Sequence, residues 1–214
     1  MFLLGVRMDH GSTTACLVVL EKTLKNVRHH YDIQIARAVP AAVLGDEIRS
    51  FYEDSAYTIR KRIYSQDRRP QKDVSAHPTI VMAADREEMP LIESLRREDV
   101  PVEAVLLSPD SSEPLPPPAR AGIGRNHTAS EHILLETMRQ VLGQQRLAGP
   151  VEEGPPTDDL LTELMHMVAV LRKETPETRP APLLTAAAAP IWFREKVPYT
   201  SAYRTSATSI RRFI

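Results

Sequence analysis

Residues 78–107 of the sequence read PTIVMAADREEMPLIESLRREDVPVEAVLL, and this stretch decides the fold. It begins with a short apolar run at 79–82 and ends with a second one at 102–107. Between them, residues 87–97 place apolar side chains at helical spacing, with acidic residues first and two arginines near the end, as the helix dipole favours. A connection of this length between two apolar strands predicts a parallel βαβ unit with a right-handed crossover.

Three further strands are predicted upstream of this unit. The runs 2–6 and 16–20 are apolar and flank a turn signal, and residues 31–35 alternate apolar with polar side chains. Their short connections predict a meander. Three antiparallel strands followed by parallel additions, with helices on both faces, predict an α/β fold of ribonuclease H-like type.

Helical periodicity accounts for most of the remaining chain. Helices are predicted at 44–63, after a capping-box motif at 128–131, after Thr157, and at 183–193, where Pro190 interrupts the pattern. A short edge strand is predicted at Arg146–Leu147. We expect one domain over 1–193 and a flexible basic tail over 194–214. The predicted core comprises Val81, Leu91, Leu95, Val105, Leu134, Met138, Leu161 and Leu164.

Basic residues cluster where the helix at 44–63 is predicted to end. Two interpretations fit this cluster. It is either a solvated helix end, where cations suit the dipole, or a patch that faces the phosphates of a nucleic acid. The residues are Arg60, Lys61, Arg68, Arg69 and Lys72.

Composition narrows the class of protein. The net charge of −1 gives the whole chain no general attraction for nucleic acid, so a DNA contact requires a local patch. The single cysteine, Cys16, excludes an intramolecular disulfide framework and favours a reducing compartment, which we expect to be the cytoplasm. The apolar run at 1–6 is too short for a signal peptide or a membrane span, so no membrane partner is expected.

Several segments, taken in order, resemble the nuclease domain of phage terminase large subunits and their prophage relatives. The resemblance runs from Gly5 to Phe193 and implies a ribonuclease H-like fold, with DNA or other phage packaging proteins as partners. It also implies DNA cleavage by two Mg²⁺ or Mn²⁺ ions held by carboxylates. The segments are GVRMDHGSTTACLVVLE, YDIQIARAVPAAVLG, IVMAADREEMPLIESLRREDVPVEAVLL, TASEHILLETMRQVLGQQRL, LLTELMHMV and LLTAAAAPIWF.

The acidic residues of that family are replaced in this chain. The resemblance places the first acid at Arg7, the second at Ala83 and the third near Ala181 and Pro182. A cation at the first position repels the metal that the family binds there. The leading hypothesis is therefore a catalytically degenerate nuclease-fold module that needs no cofactor and binds DNA weakly or serves a structural role in DNA packaging.

Two alternatives remain open at this point. Asp9 and Asp85 each lie two residues beyond a substituted position, and Asp159 opens a predicted helix, so an active endonuclease would use Asp9, Asp85 and Asp159 with Mg²⁺ or Mn²⁺. Residues 9–14, DHGSTT, also resemble the first phosphate loop of actin-like ATPases, which would make the chain a nucleotide-binding module. The simpler interpretation of this loop is an ordinary hairpin turn.

Overall fold

The computed structural model of this chain describes residues 1–8, 13–64, 70–108, 124–149, 159–173 and 181–197, with the backbone alone at 59–75, 159 and 172–173. This part of the chain contains nine strands and five α-helices. The strands are β1 Phe2–Met8, β2 Thr14–Lys25, β3 Arg28–Pro40, β4 Ile59–Tyr64, β5 Pro70–Ala76, β6 Thr79–Ala84, β7 Val102–Leu107, β8 Asn126–Ala129 and β9 Leu147–Ala148. The helices are α1 Leu44–Glu53, α2 Met89–Arg97, α3 Glu131–Gly143, α4 Asp159–Lys173 and α5 Pro182–Lys196.

Seven of these strands form one mixed sheet in the order β8-β7-β6-β1-β2-β3-β9. β2 is antiparallel to both of its neighbours, β1 and β3, and the other neighbouring pairs of this sheet are parallel. The predicted meander and βαβ unit therefore join in a single sheet through the pairing of β1 with β6. The ribonuclease H-like α/β fold predicted from the sequence is confirmed.

Helices cover both faces of the sheet and enclose two hydrophobic cores. α3, α4 and α5 pack on one face, and α1 and α2 pack on the other. Along β1 the side chains alternate between them, because Leu3 belongs to the first core and Leu4 and Val6 to the second. Of the predicted core residues, Leu91 is half-buried. The others are buried: Val81, Leu95, Val105, Leu134, Met138, Leu161 and Leu164.

Gly5 allows α5 to lie directly on β1. A Cβ atom at this position would stand 1.8 Å from the carbonyl oxygen of Ala186, so no larger residue fits without separating the helix from the strand. Residues 183–193 of the helix are buried on all sides. A helix that is apolar around its whole circumference is expected in the interior of a layered domain.

Only the first half of the helix predicted at 44–63 is present. α1 ends at Glu53, and the chain then forms the β4–β5 hairpin, a separate two-stranded sheet. Asp54 takes an extended backbone, and its side chain accepts the N–H of Ala56 at 2.8 Å, which competes with helix continuation. The ring of Tyr57 then packs on the ring of Phe51 in α1, with the ring centroids 4.2 Å apart, so the chain turns back towards that helix.

Other elements begin or end at residues different from those predicted, because pairing with distant strands sets their limits. The capping-box motif at 128–131 was assigned to a helix start, but Thr128 and Ala129 belong to strand β8, which pairs with β7. Ser130 is the N-cap of α3 and accepts the N–H of Ile133. The predicted edge strand appears as β9, beside β3. None of the helices in the described ranges combines the length and the apolar composition that crossing a bilayer requires.

Candidate functional site

The candidate site lies where β1 and β6 end side by side. The parallel register pairs Arg7 with Ala83, the two positions at which the sequence resemblance expects metal-binding acids. Both residues are buried, and Ala83 belongs to the core beneath α5. Asp85 follows directly after β6. The carboxyl ends of parallel strands therefore meet here, at the position where α/β sheets commonly bind ligands.

Arg7 is a buried cation surrounded by carboxylates. The residue is 2% exposed. Its Nη2 lies 3.0 Å from Oδ2 of Asp85 and 3.9 Å from Oε1 of Glu131, and its Nη1 lies 3.6 Å from Oε2 of Glu88. The contact with Asp85 is a charge-assisted hydrogen-bond distance, whereas the other two are ion pairs at longer range.

Local helix chemistry holds the three carboxylates in place. Asp85 and Glu88 form a reciprocal capping box at the start of the 3-10 turn that leads into α2, and the backbone N–H of Asp85 donates to Glu88 at 2.6 Å. Glu131 is the first residue of α3. Because helix N-termini favour negative charge, these acids are stabilised by two helix starts as well as by Arg7. We refer to these four residues as the Arg7 cluster: Arg7, Asp85, Glu88 and Glu131.

The Arg7 cluster does not fit a two-metal centre. Two divalent ions need several carboxylate oxygens facing one another with the cations between them. Here a guanidinium lies among the carboxylates, and Ala83 supplies no oxygen beside it. Among the described residues, no group of three or more histidine, cysteine or acidic side chains is arranged to hold a metal ion.

The two alternative sites predicted from the sequence lie only partly within the described residues. Asp85 is ion-paired with Arg7. Asp159 is the first residue of α4, and its side chain lies outside the described part of the chain. Asp9 and most of the loop 9–14 lie outside the described residues as well. The endonuclease with Asp9, Asp85 and Asp159 and the nucleotide-binding loop therefore stay predictions.

The basic cluster belongs to a hairpin. Arg60 and Lys61 lie on β4, and Lys72 lies on β5 opposite Ile63. Arg68 and Arg69 lie outside the described residues. The interpretation as a solvated helix end is wrong because the backbone is extended at Arg60, Lys61 and Lys72. Pairing of the two strands instead gathers these cationic residues on one short ribbon.

A second polar cluster, which sequence analysis missed, joins β3, α5 and the segment before β9. Arg146, with a side chain 9% exposed, donates to both carboxylate oxygens of Glu195 at 3.0 and 2.9 Å and to the carbonyl of His29 at 2.8 Å. The Tyr31 hydroxyl donates to Oε1 of Glu195 at 2.7 Å. Glu195 was assigned to the tail, but α5 continues to Lys196, so the predicted boundary at 193/194 falls inside the helix.

The pKa values in this cluster follow from its burial and its charges. Burial by itself would raise the pKa of Glu195, but hydrogen bonds from Arg146 and Tyr31 outweigh it and lower that pKa. Burial and the Glu195 carboxylate raise the pKa of Tyr31. Burial and the positive charge of Lys22 lower the pKa of His29, and Arg146 also contributes. These contacts therefore favour the ionised form of Glu195 and the neutral form of His29.

A third buried polar group has a structural role. Arg96 is fully buried, and its guanidinium donates to the carbonyls of Val102 and Arg125 and to the side chains of Glu93 and Asn126, at 2.8–3.0 Å. These bonds tie α2 to β7 and β8. Because the guanidinium donates to backbone and side-chain groups of three elements of the fold, we assign Arg96 a structural role.

Comparison with models of known protein families, with curated proteins and with solved structures found no match.

Proposed function

We propose that this protein is a terminase-like nuclease-fold domain of phage or prophage origin that has lost metal-dependent cleavage and acts as a binding or structural module in DNA packaging. Its partners are DNA, bound weakly, or other packaging proteins, and the module works in the cytoplasm. No cofactor is required for this role.

The observation that carries the proposal is the position of Arg7. Its guanidinium lies within 4 Å of Asp85, Glu88 and Glu131, at the strand ends where the resemblance to terminase nucleases would place the metals. A fixed internal cation offsets part of the negative charge of these acids without a bound ion. A metal would have to displace it, and like-charge repulsion in a poorly solvated site opposes that exchange.

DNA contact is assigned to the β4–β5 hairpin. Arg60, Lys61 and Lys72 lie on its two strands, and this local concentration of basic residues attracts phosphates, which the nearly neutral chain as a whole does not. Phosphate contacts of this kind position a protein on DNA without reading its sequence. We therefore expect weak binding with little sequence preference.

Cleavage is tested by incubating supercoiled plasmid with purified protein and Mn²⁺. We expect no nicking by the wild-type protein. Nicking that disappears in Asp85→Asn would establish the endonuclease alternative and refute the proposal. Asp85 is suited to this test because it is the acid closest to the strand-end site among the described residues.

Binding is tested separately, by fluorescence anisotropy of labelled duplex DNA across a range of salt concentrations. The variant Arg60→Gln with Lys61→Gln should bind more weakly, and the salt dependence should lose roughly one unit of log–log slope per lost phosphate contact. Arg37→Gln is the matched control, because Arg37 is an exposed strand arginine outside the hairpin. Equal loss in the control and in the hairpin variant would contradict the assignment of DNA contact to β4–β5.

A further inference from the structure

Aromatic side chains surround the root of the β4–β5 hairpin. Tyr57 lies just before β4, and its ring packs on Phe51 with the centroids 4.2 Å apart and edge-on against Phe2 at 5.3 Å. His77 directly follows β5, and its ring stacks on Tyr52 of α1 at 4.7 Å, with 26° between the two planes. Both strands of the basic hairpin therefore join the domain beside an aromatic ring.

The two ring contacts differ in what they leave open. Tyr57 is half-buried between two other rings and anchors the hairpin to the domain. His77 is exposed, whereas Tyr52 beneath it packs against the second core. Within the described part of the chain, Tyr52 is the only ring that His77 contacts. Because Tyr52 covers one face of the imidazole, the other face is available to a ligand.

The imidazole of His77 is held in a fixed orientation. The backbone carbonyl of Tyr52 can only accept a hydrogen bond, so Nδ1 of His77 donates to it, at 3.3 Å. The stacked tyrosine fixes the plane of the ring, and this bond fixes its rotation within the plane. The pair is thus a small flat platform supported by the core, which a planar ligand can contact without first ordering the side chain.

Positive charge lies directly beside this platform. The two strands of the hairpin together carry four basic residues and one acid. The pairing of Ile59 with Ala76 places the root of this ribbon next to His77. A basic surface that follows a phosphate backbone, combined with an aromatic ring on which a base stacks, is typical of proteins that bind single-stranded nucleic acid. A duplex presents phosphates too, but its base faces are covered by their own neighbours.

We infer that the β4–β5 hairpin contacts single-stranded DNA, with one base stacked on the imidazole of His77. The inference rests on the proposed function, because the same hairpin supplies the phosphate contacts. It adds the form of DNA that is bound. Every base has a flat face, so stacking of this kind keeps the weak sequence preference expected above.

Fluorescence anisotropy with three labelled ligands tests the inference. They are an oligothymidylate, a duplex of the same length, and an abasic oligonucleotide with the same number of phosphates as the oligothymidylate. We expect the oligothymidylate to bind more tightly than either of the others. Phosphate contacts alone would favour the duplex, because its charge density is higher. The expected order is therefore the reverse of the purely electrostatic one.

His77→Ala should weaken binding of the oligothymidylate by about fivefold to a hundredfold, the range for loss of one base stack. Affinity for the abasic oligonucleotide and the salt dependence should stay unchanged, because stacking releases no counterions. His77→Tyr keeps an aromatic ring and should bind as the wild type does. His132→Ala is the matched control, since His132 is an exposed histidine on α3. Thermal melts check that each variant is folded.

Equal affinity for the oligothymidylate and the abasic oligonucleotide would overturn the inference. So would normal binding of the oligothymidylate by His77→Ala. Either result leaves duplex binding through the hairpin, and with it the proposed function, intact. If Arg60→Gln with Lys61→Gln binds every DNA as the wild type does, the hairpin contact itself is refuted, and the inference that rests on it is refuted as well.

Discussion

Replacing Arg7 with methionine should expose the energetic role of the Arg7 cluster. Methionine fills a similar volume, but it leaves three carboxylates without their cation. Removing one partner of a buried ion pair costs about 3–5 kcal/mol. Asp85 and Glu131 retain 26% and 22% of their side-chain exposure, so water offsets part of that cost. We therefore expect Arg7→Met to lower the free energy of unfolding by about 2–4 kcal/mol, between the buried and the surface limits.

Urea denaturation measures this loss, with Arg37→Met as the control. Arg37 pairs with Glu47 at 2.7 Å, but their side chains are 46% and 35% exposed, so its replacement should cost only about 0–1 kcal/mol. A double-mutant cycle with Asp85→Asn separates charge from packing. If the lost charge is responsible, the two substitutions should couple by roughly 0.5–3 kcal/mol. A loss below about 1 kcal/mol for Arg7→Met, or no coupling, would refute the interpretation of Arg7 as an internal counter-ion.

Three further predictions test the fold and the second cluster. Leu95→Ala should cost about 2–5 kcal/mol in chemical denaturation, as deletion of a buried leucine does, and a loss under about 1 kcal/mol would mean that the packing face of α2 is misassigned. Gly5→Ala should lower the free energy of unfolding by about 3 kcal/mol or more, because the added Cβ meets the backbone of α5. Gly143→Ala is the control and should be neutral or stabilising, because no atom lies within 4 Å of the added Cβ. Equal effects of the two substitutions would contradict the close contact of β1 with α5. The pKa of Glu195 lies below its ordinary value of 4.5, so its ionised form stabilises the fold above pH 4.5, and this stability is lost as the pH falls through the lowered pKa. Thermal melts of Glu195→Gln should show a weaker decline below pH 4.5 than the wild type, and an unchanged profile would contradict the lowered pKa.

The parts of the fold that the sequence predicted well are those governed by local pattern. The apolar runs that became β1, β6 and β7 and the helical spacing that became α2 needed no knowledge of distant partners. The resemblance singled out two separate positions, but only the parallel register of β1 with β6 shows that Ala83 lies beside Arg7. The role of Arg7 as an internal cation was not predicted. That role depends on where the capping turn with Asp85 and Glu88 and the start of α3 lie in space, which the sequence pattern does not specify.

The failures occurred where distant contacts overrode a local pattern. Residues 59–63 carry a periodicity compatible with a helix, but pairing with β5 and the stacking of Tyr57 on Phe51 determine an extended chain. Thr128 and Ala129 matched a helix start, but the edge of β7 recruits them as a strand. Helix and strand propensities are small, and the burial and hydrogen bonding gained in a sheet easily outweigh them.

The sequence by itself determined the three-strand meander and the βαβ unit, and hence the centre of the ribonuclease H-like sheet, because side-chain periodicity and connection length are local properties. Only the tertiary structure decided which charges meet. Tyr31 and Glu195 are 164 positions apart, and Arg146 and Glu195 are 49 apart, yet each pair forms a hydrogen bond. A hydrogen bond of this kind depends on atoms placed within about 3 Å, a precision that no spacing along the chain specifies and that the packing of α5 against the sheet supplies.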